Sequence, residues 1–196
     1  MTDLFGWFLK NFDEITGTII ALAYLYFSIK QNIWLWPLGI ISSAIFAYVF
    51  FRSKIYAGMG LQIYYVIISI YGWYNWWKVR NGNKLSTTVK SLLGNYKLMV
   101  VLLLIVIFLF VVLFQILVHT DTNVPYYDAL ISALSIVATW MLAKKYIEHW
   151  WVWLLADPIS IGIFIYQKLY FMVILYFIYS IMAIVGYKSW KKDLAV

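Results

Sequence analysis

The sequence predicts an all-α integral membrane protein: seven transmembrane helices in a three-plus-one-plus-three arrangement of parallel repeats. Three observations predict it. Of the 196 residues, 65% are hydrophobic and 12% charged, with a mean hydropathy of +0.84, whereas a soluble domain carries about 25% charge. Seven runs are long and apolar enough to cross a hydrocarbon layer of roughly 30 Å, which takes about 20 residues each. The third and seventh runs, finally, match one another at a constant spacing.

In chain order the runs are about 14–31, 33–51, 55–77, 97–118, 125–143, 149–167 and 169–188. The fourth, KLMVVLLLIVIFLFVVLFQILV, is almost purely aliphatic and reads as a lipid-facing helix. The other six carry Ser, Tyr, Trp, Gly or an acid. The 78–97 stretch, KVRNGNKLSTTVKSLLGNYK, is the sizeable polar interruption and separates the halves. This divides the chain into residues 1–80, the first three-helix unit; 81–120, linker and connecting span; and 121–196, the second unit. The first fourteen residues hold acids and no small-residue cleavage site, so no cleaved signal peptide is expected.

Lysine and arginine set the orientation. Lys10, Arg52, Lys54 and Lys168 fall on one side of the seven spans, and the remaining eleven of the 15 fall on the other. That asymmetry places the N-terminus outside and the C-terminus in the cytoplasm. The net charge of +7 is spread between apolar runs, which fits topology and not nucleic-acid binding. Cysteine is absent, so disulfides and thiol chemistry are excluded.

At a spacing of 114, Lys54 matches Lys168, Tyr56 Tyr170, Tyr65 Tyr179, Gly72 Gly186 and Trp76 Trp190. Upstream, the WLW at 34–36 matches the WVW at 151–153 at a spacing of 117, which implies a second copy three residues shorter in its middle helix. An odd number of helices per copy plus one connector leaves the copies parallel, with a substrate site expected between them near mid-membrane.

Helical periodicity places Trp150, Trp153, Asp157, Ser160 and Phe164 on one face of span six and points Trp151 elsewhere. Span three presents Gln62, Tyr65, Ser69, Trp73 and Trp76 as a stripe, and span seven presents Tyr176, Tyr179, Ala183, Tyr187 and Trp190. Span five adds Asp128, Ser132, Ser135 and Thr139. The candidate substrate-binding residues are therefore Gln62, Tyr65, Ser69, Trp150, Trp153, Asp157, Ser160, Tyr176 and Tyr179.

Asp157 is the sharpest of these, because a carboxylate at the bilayer centre costs about 2.5–3.5 kcal/mol even on the lenient insertion scale. An acid flanked by two indoles suits a flat aromatic cation. A structural acid bonded to a neighbouring helix, with Pro158 bending the span, is the competing reading. Gln62 is equally open between substrate contact and helix packing. Trp73, Trp76, Trp150 and Trp190 lie near helix ends, where an interfacial aromatic belt is the first expectation, except that Trp150 shares a face with Asp157. Asp128 follows Pro125 at a helix start and reads as a charge favouring the helix dipole. His119 and His149 form no metal-ligand spacing. No cofactor motif and no hydrolase, metalloprotease or P-loop motif is present, so an enzyme is not expected. A retinal protein is excluded because span seven has lysines only at its ends.

The FxxxxYxxxGLQ pattern at 51–62, the YGWYxW at 71–76, the tryptophan pair opening span six and the KLY at 168–170 resemble the PnuC family of bacterial vitamin transporters over nearly the whole chain. The resemblance implies SWEET-like organisation with full-length repeats, location in the bacterial inner membrane, and trimers. It implies facilitated diffusion of nicotinamide riboside, with cytosolic phosphorylation trapping the vitamin. A thiamine carrier of the same family is the alternative, and a non-transporting scaffold or sensor is the alternative class. The implied partners are a small-molecule vitamin and the lipid bilayer. By the same resemblance Gln62, Trp150 and Trp153 match substrate-contacting positions, and Asp157 stands where substrate choice is written. Nicotinamide riboside and thiamine both carry a permanent positive charge, so the acid favours either over neutral riboflavin.

Overall fold

The computed structural model describes residues 12–52, 56–82, 88–120 and 122–194. The first eleven residues with Lys10, and also Lys54, Lys84 and the side chain of Tyr56, lie outside the described residues. Among the described residues seven helices follow in order: α1 Phe12–Ile29, α2 Leu35–Arg52, α3 Tyr56–Gly82, α4 Tyr96–Leu117, α5 Pro125–Ala143, α6 His149–Tyr166 and α7 Tyr170–Lys191. They stand where the apolar runs place them, except that α3 continues five residues into the expected linker. Among the described residues α4, α5 and the Met172–Lys191 part of α7 are long and apolar enough to cross a membrane by length and hydropathy.

Local chemistry sets several ends. Asn95 caps α4 by accepting from the Leu98 amide, and Pro125 opens α5 where its missing N–H costs nothing. Thr122 donates its hydroxyl to Asp128, so that acid serves the start of α5. The turns after α1, α5 and α6 each pass through a left-handed residue, Gln31, Lys145 and Lys168.

Helix α2 packs on α3, and α6 on α7. Helix α1 touches α2 and α7, while α5 touches α3, α4 and α6. Small residues account for the central place of α5: Ala129, Ala133, Ala138 and Ala143 are buried and admit close neighbours. Its apolar stretch is 56% buried against 6% for α4, whose aliphatic surface stays exposed.

The same contacts recur 114 residues apart. The Trp36 ring fills the space above Gly72, where a Cβ would come within 2.4 Å of it, and Trp150 does the same above Gly186 at 2.4 Å. Trp36 and Trp76 meet edge to face at 5.4 Å, as Trp150 and Trp190 do at 5.9 Å. The Trp76 indole donates to the Ala143 carbonyl at the end of α5 (3.2 Å), and the Trp190 indole to the Ser28 carbonyl at the end of α1 (3.0 Å). Two expectations are corrected here. Trp36 is matched by Trp150, so the spacing of 117 and its three-residue shortening give way to 114. Trp76, Trp150 and Trp190 are buried in one aromatic core, not in an interfacial belt; of the four, Trp73 alone is exposed.

The 88–95 segment is also more than a linker. Val89 is fully buried and pairs with Leu194, and Lys90 pairs with the α5–α6 turn.

Candidate functional site

A cavity of 340 Å³ lies among α1, α2, α3, α5, α6 and α7, and α4 contributes nothing to it. Of the nine residues singled out from the sequence, the fold brings eight to its wall: Gln62, Tyr65 and Ser69 from α3, Trp150, Trp153 and Asp157 from α6, and Tyr176 and Tyr179 from α7. Ser160 is not brought there; it is buried one turn beyond Asp157, its hydroxyl spent on the Ala156 carbonyl. Phe164, on the same face, packs on Tyr176 at 5.0 Å. From α5, Ser135 and Thr139 line the wall.

Asp157 is 4% exposed, yet it lines the cavity. Among the described residues nothing donates a hydrogen bond to its carboxylate, and neither oxygen is sealed away from the cavity. The structural reading, an acid bonded to a neighbouring helix, therefore fails. A desolvated carboxylate without an internal partner is a standing demand for a cation or a proton. Trp153 and Trp150 lie one turn and two turns back along the same helix, and Tyr176 and Tyr179 of α7 share the cavity wall with it. Pro158 follows and withholds the amide that would close on the Leu154 carbonyl.

Among the described residues the wall carries no Lys, Arg or His, and Asp157 is its one acid. Gln62 offers an amide to the cavity without a bonded partner among the described residues. No group of metal-ligating side chains occurs among the described residues. Chemically the site can hold a flat cation by charge and π contact and can fix its substituents with an amide and hydroxyls.

Sequence reasoning missed the wall that α1 and α2 supply, including Tyr24, Gly39, Ser42, Ser43 and Phe46. A signal was present, because the spacing of 114 relates Ser43 to Asp157 and Gly39 to Trp153.

Beneath the cavity, at the end carrying the C-terminus of α7, lies the aromatic core. His149, fully buried, sits between Trp150 at 4.4 Å and Trp190 at 4.7 Å, with Nδ1 2.7 Å from the Tyr146 carbonyl.

The nicotinamide mononucleotide transporter family model matches residues 11–192. The nicotinamide riboside transporter PnuC of Escherichia coli (strain K12) is 28% identical over 200 residues, covering 90% of this chain and 84% of the relative. The riboflavin/roseoflavin transporter RibM of Streptomyces davaonensis is 24% identical over 181 residues, covering 90% and 83%. A crystal structure of the vitamin B3 transporter PnuC superposes with a TM-score of 0.75 at 21% identity, covering 98% of this chain and 86% of that one.

Proposed function

The chain belongs to the nicotinamide mononucleotide transporter family, and from that premise we propose that it carries nicotinamide riboside across the bacterial inner membrane by facilitated diffusion. Phosphorylation in the cytosol then traps the vitamin. The observation that carries this reading is the unpartnered Asp157 carboxylate in a cavity walled by Trp150 and Trp153. A pyridinium ring satisfies the acid by charge and the indoles by stacking. The cavity is at the small end of the range of about 300–1,000 Å³ for small-molecule sites. Its wall has no cation to balance a phosphate, so the nucleoside and not the nucleotide is the cargo.

In this reading all seven helices span the membrane, α1–α3 and α5–α7 are parallel copies about an axis along the membrane normal, and α4 connects them. The recurring Trp-over-Gly contacts support it. Positive charge puts the C-terminus in the cytoplasm, and the exposed aliphatic face of α4 is a contact surface in a trimer. Transport relatives also argue against an enzyme.

Thiamine is the second reading, favoured by the same acid, which greets any fixed cation. Riboflavin, the cargo of one relative, is neutral and leaves Asp157 unanswered. Side-by-side uptake of labelled nicotinamide riboside and thiamine into proteoliposomes separates the two. Accumulation of neither, with no vitamin raising the unfolding temperature, points instead to a scaffold or sensor.

A further inference from the structure

Residues related by a twofold rotation that also touch one another must straddle the rotation axis. Two such pairs stand at the end of the molecule beneath the cavity. Trp76 and Trp190, 114 apart in sequence, have ring centroids 6.3 Å apart. Gln31 and Lys145, also 114 apart, share a side-chain hydrogen bond of 3.3 Å from Lys145 Nζ to Gln31 Oε1. Both occupy left-handed backbone, with φ 50° and 60°, so they hold the same place in the same turn of each half. The axis therefore passes through the cavity, between the two indoles, and out between Gln31 and Lys145.

The closure around the outer pair is one-sided. Gln31 Nε2 donates to Asp193 Oδ2 at 2.9 Å, and Lys145 Nζ lies 4.6 Å over the Trp76 ring. The 88–92 segment then straps the second half. The Lys90 amide donates to the Lys145 carbonyl and its carbonyl accepts from the Ile147 amide, both at 2.9 Å. Glu148 Oε1 accepts from the Ser91 hydroxyl at 2.5 Å and the Leu92 amide at 2.8 Å. Val89, held between these bonds and Leu194, is buried in the core that contains Trp76 and Trp190.

We infer that the vitamin passes this end of the protein along the axis, and that Trp76 with Trp190 and Gln31 with Lys145 are two successive gates, the outer one latched by Asp193 and the 88–92 strap. The inference rests on the two-copy reading above. Opening requires the Gln31–Lys145 and Gln31–Asp193 bonds to part, while the strap keeps the α5–α6 turn attached to Val89. The moving piece is then the α1–α2 turn, swinging away from a fixed second half.

The chain has no native cysteine, so a single introduced thiol reports without background. Thr139→Cys places one in the cavity wall. In vesicles, a membrane-impermeant cationic methanethiosulfonate added to the C-terminal face labels it slowly in the parent chain. Adding Gln31→Ala and Lys145→Ala is expected to speed labelling about tenfold by shifting population toward the open form. Labelling that is no faster overturns the gate. The converse needs no weakened fold: Gln31→Cys with Lys145→Cys, joined by a short bifunctional thiol reagent, should stop nicotinamide riboside uptake and recover it on reduction. Uptake by the joined protein at the unjoined rate also overturns the gate. Labelling needs no vitamin, so a failure of every sample to take up vitamin counts against the proposed cargo and not against the gate.

Discussion

Helices α1–α3 and α5–α7 are alike in how they pack and, apart from the pair Tyr65 and Tyr179, unlike where each faces the cavity. Both set a tryptophan over a glycine, Trp36 on Gly72 and Trp150 on Gly186, and both tie an indole N–H to the carbonyl end of the other half's first helix. On the cavity side, however, Ser43 of one half stands where the other has Asp157, Gly39 where it has Trp153, and Gln62 where it has Tyr176. Packing constrains volume and direction, which the recurring ring-on-glycine contacts supply twice. The acid and both indoles of the wall, Asp157, Trp150 and Trp153, come from the second half, whereas the first contributes Gly39, Ser42, Ser43 and Gln62 beside Tyr24, Phe46 and Tyr65.

The largest expected effect comes from the position where the halves differ most in charge. Asp157→Asn should weaken binding of a cationic vitamin by about 2 kcal/mol or more, roughly 30-fold, because a desolvated charge pair is lost. Ser43→Ala, at the matching place, should stay within about threefold. Titration calorimetry on the purified protein compares them; equal losses would break the asymmetry.

Next are the two glycines. Gly72→Ala and Gly186→Ala each press a methyl to within 2.4 Å of an indole, an overpacking that costs typically about 1–3 kcal/mol and should lower both melting temperatures alike. Only Gly186→Ala should also impair vitamin binding, since Trp150 lines the cavity and Trp36 does not. Binding lost equally in both would mean that the cavity depends on the whole frame.

Trp76→Phe and Trp190→Phe each remove one indole hydrogen bond, at about 0.5–1.5 kcal/mol, because Asn75 Nδ2 still donates to the Ala143 carbonyl and the Gln31 backbone amide still donates to the Ser28 carbonyl. Matching losses in thermal unfolding are expected, and a clear inequality would show the frame to be less symmetric than its contacts. The smallest effect concerns pH. Burial lowers Lys145 to about 8, against the opposing pull of Asp193. Between that value and its ordinary one the unfolded chain holds the extra proton, so stability rises with pH across the window. Melting temperatures from about pH 8 to pH 10 should rise more in the parent than in Lys145→Gln, and parallel curves would contradict the assignment.

Much of this was legible in the sequence, for identifiable reasons. Apolar length places all seven helices, and the 3.6-residue period finds the cavity faces of α3, α6 and α7, because each of these helices turns one polar stripe inward. Period alone does not say where along a stripe the cavity ends, and so Ser160 was included although it satisfies its hydroxyl on its own helix. Nor does it say what covers a helix end: Trp76, Trp150 and Trp190 read as belt residues because the strap that encloses their core, Val89 above all, arrives from a polar linker distant in sequence. The repeated WxW pattern misled by composition. What the fold repeats is a single ring seated over a single glycine, and that contact fixes the spacing at 114. Applied to α2, the same spacing would have found Ser43.

The most direct test of the central claim keeps shape constant and changes charge. Nicotinamide riboside and its uncharged reduced form differ little in size, and uptake of both into proteoliposomes can be compared in the parent chain and in Asp157→Asn. A preference of about 30-fold for the cation in the parent, falling to within about threefold in the variant, is the expected result. Equal uptake of both forms by the parent, or a preference that survives Asp157→Asn, would contradict the assignment of the buried acid as the group that selects the cargo.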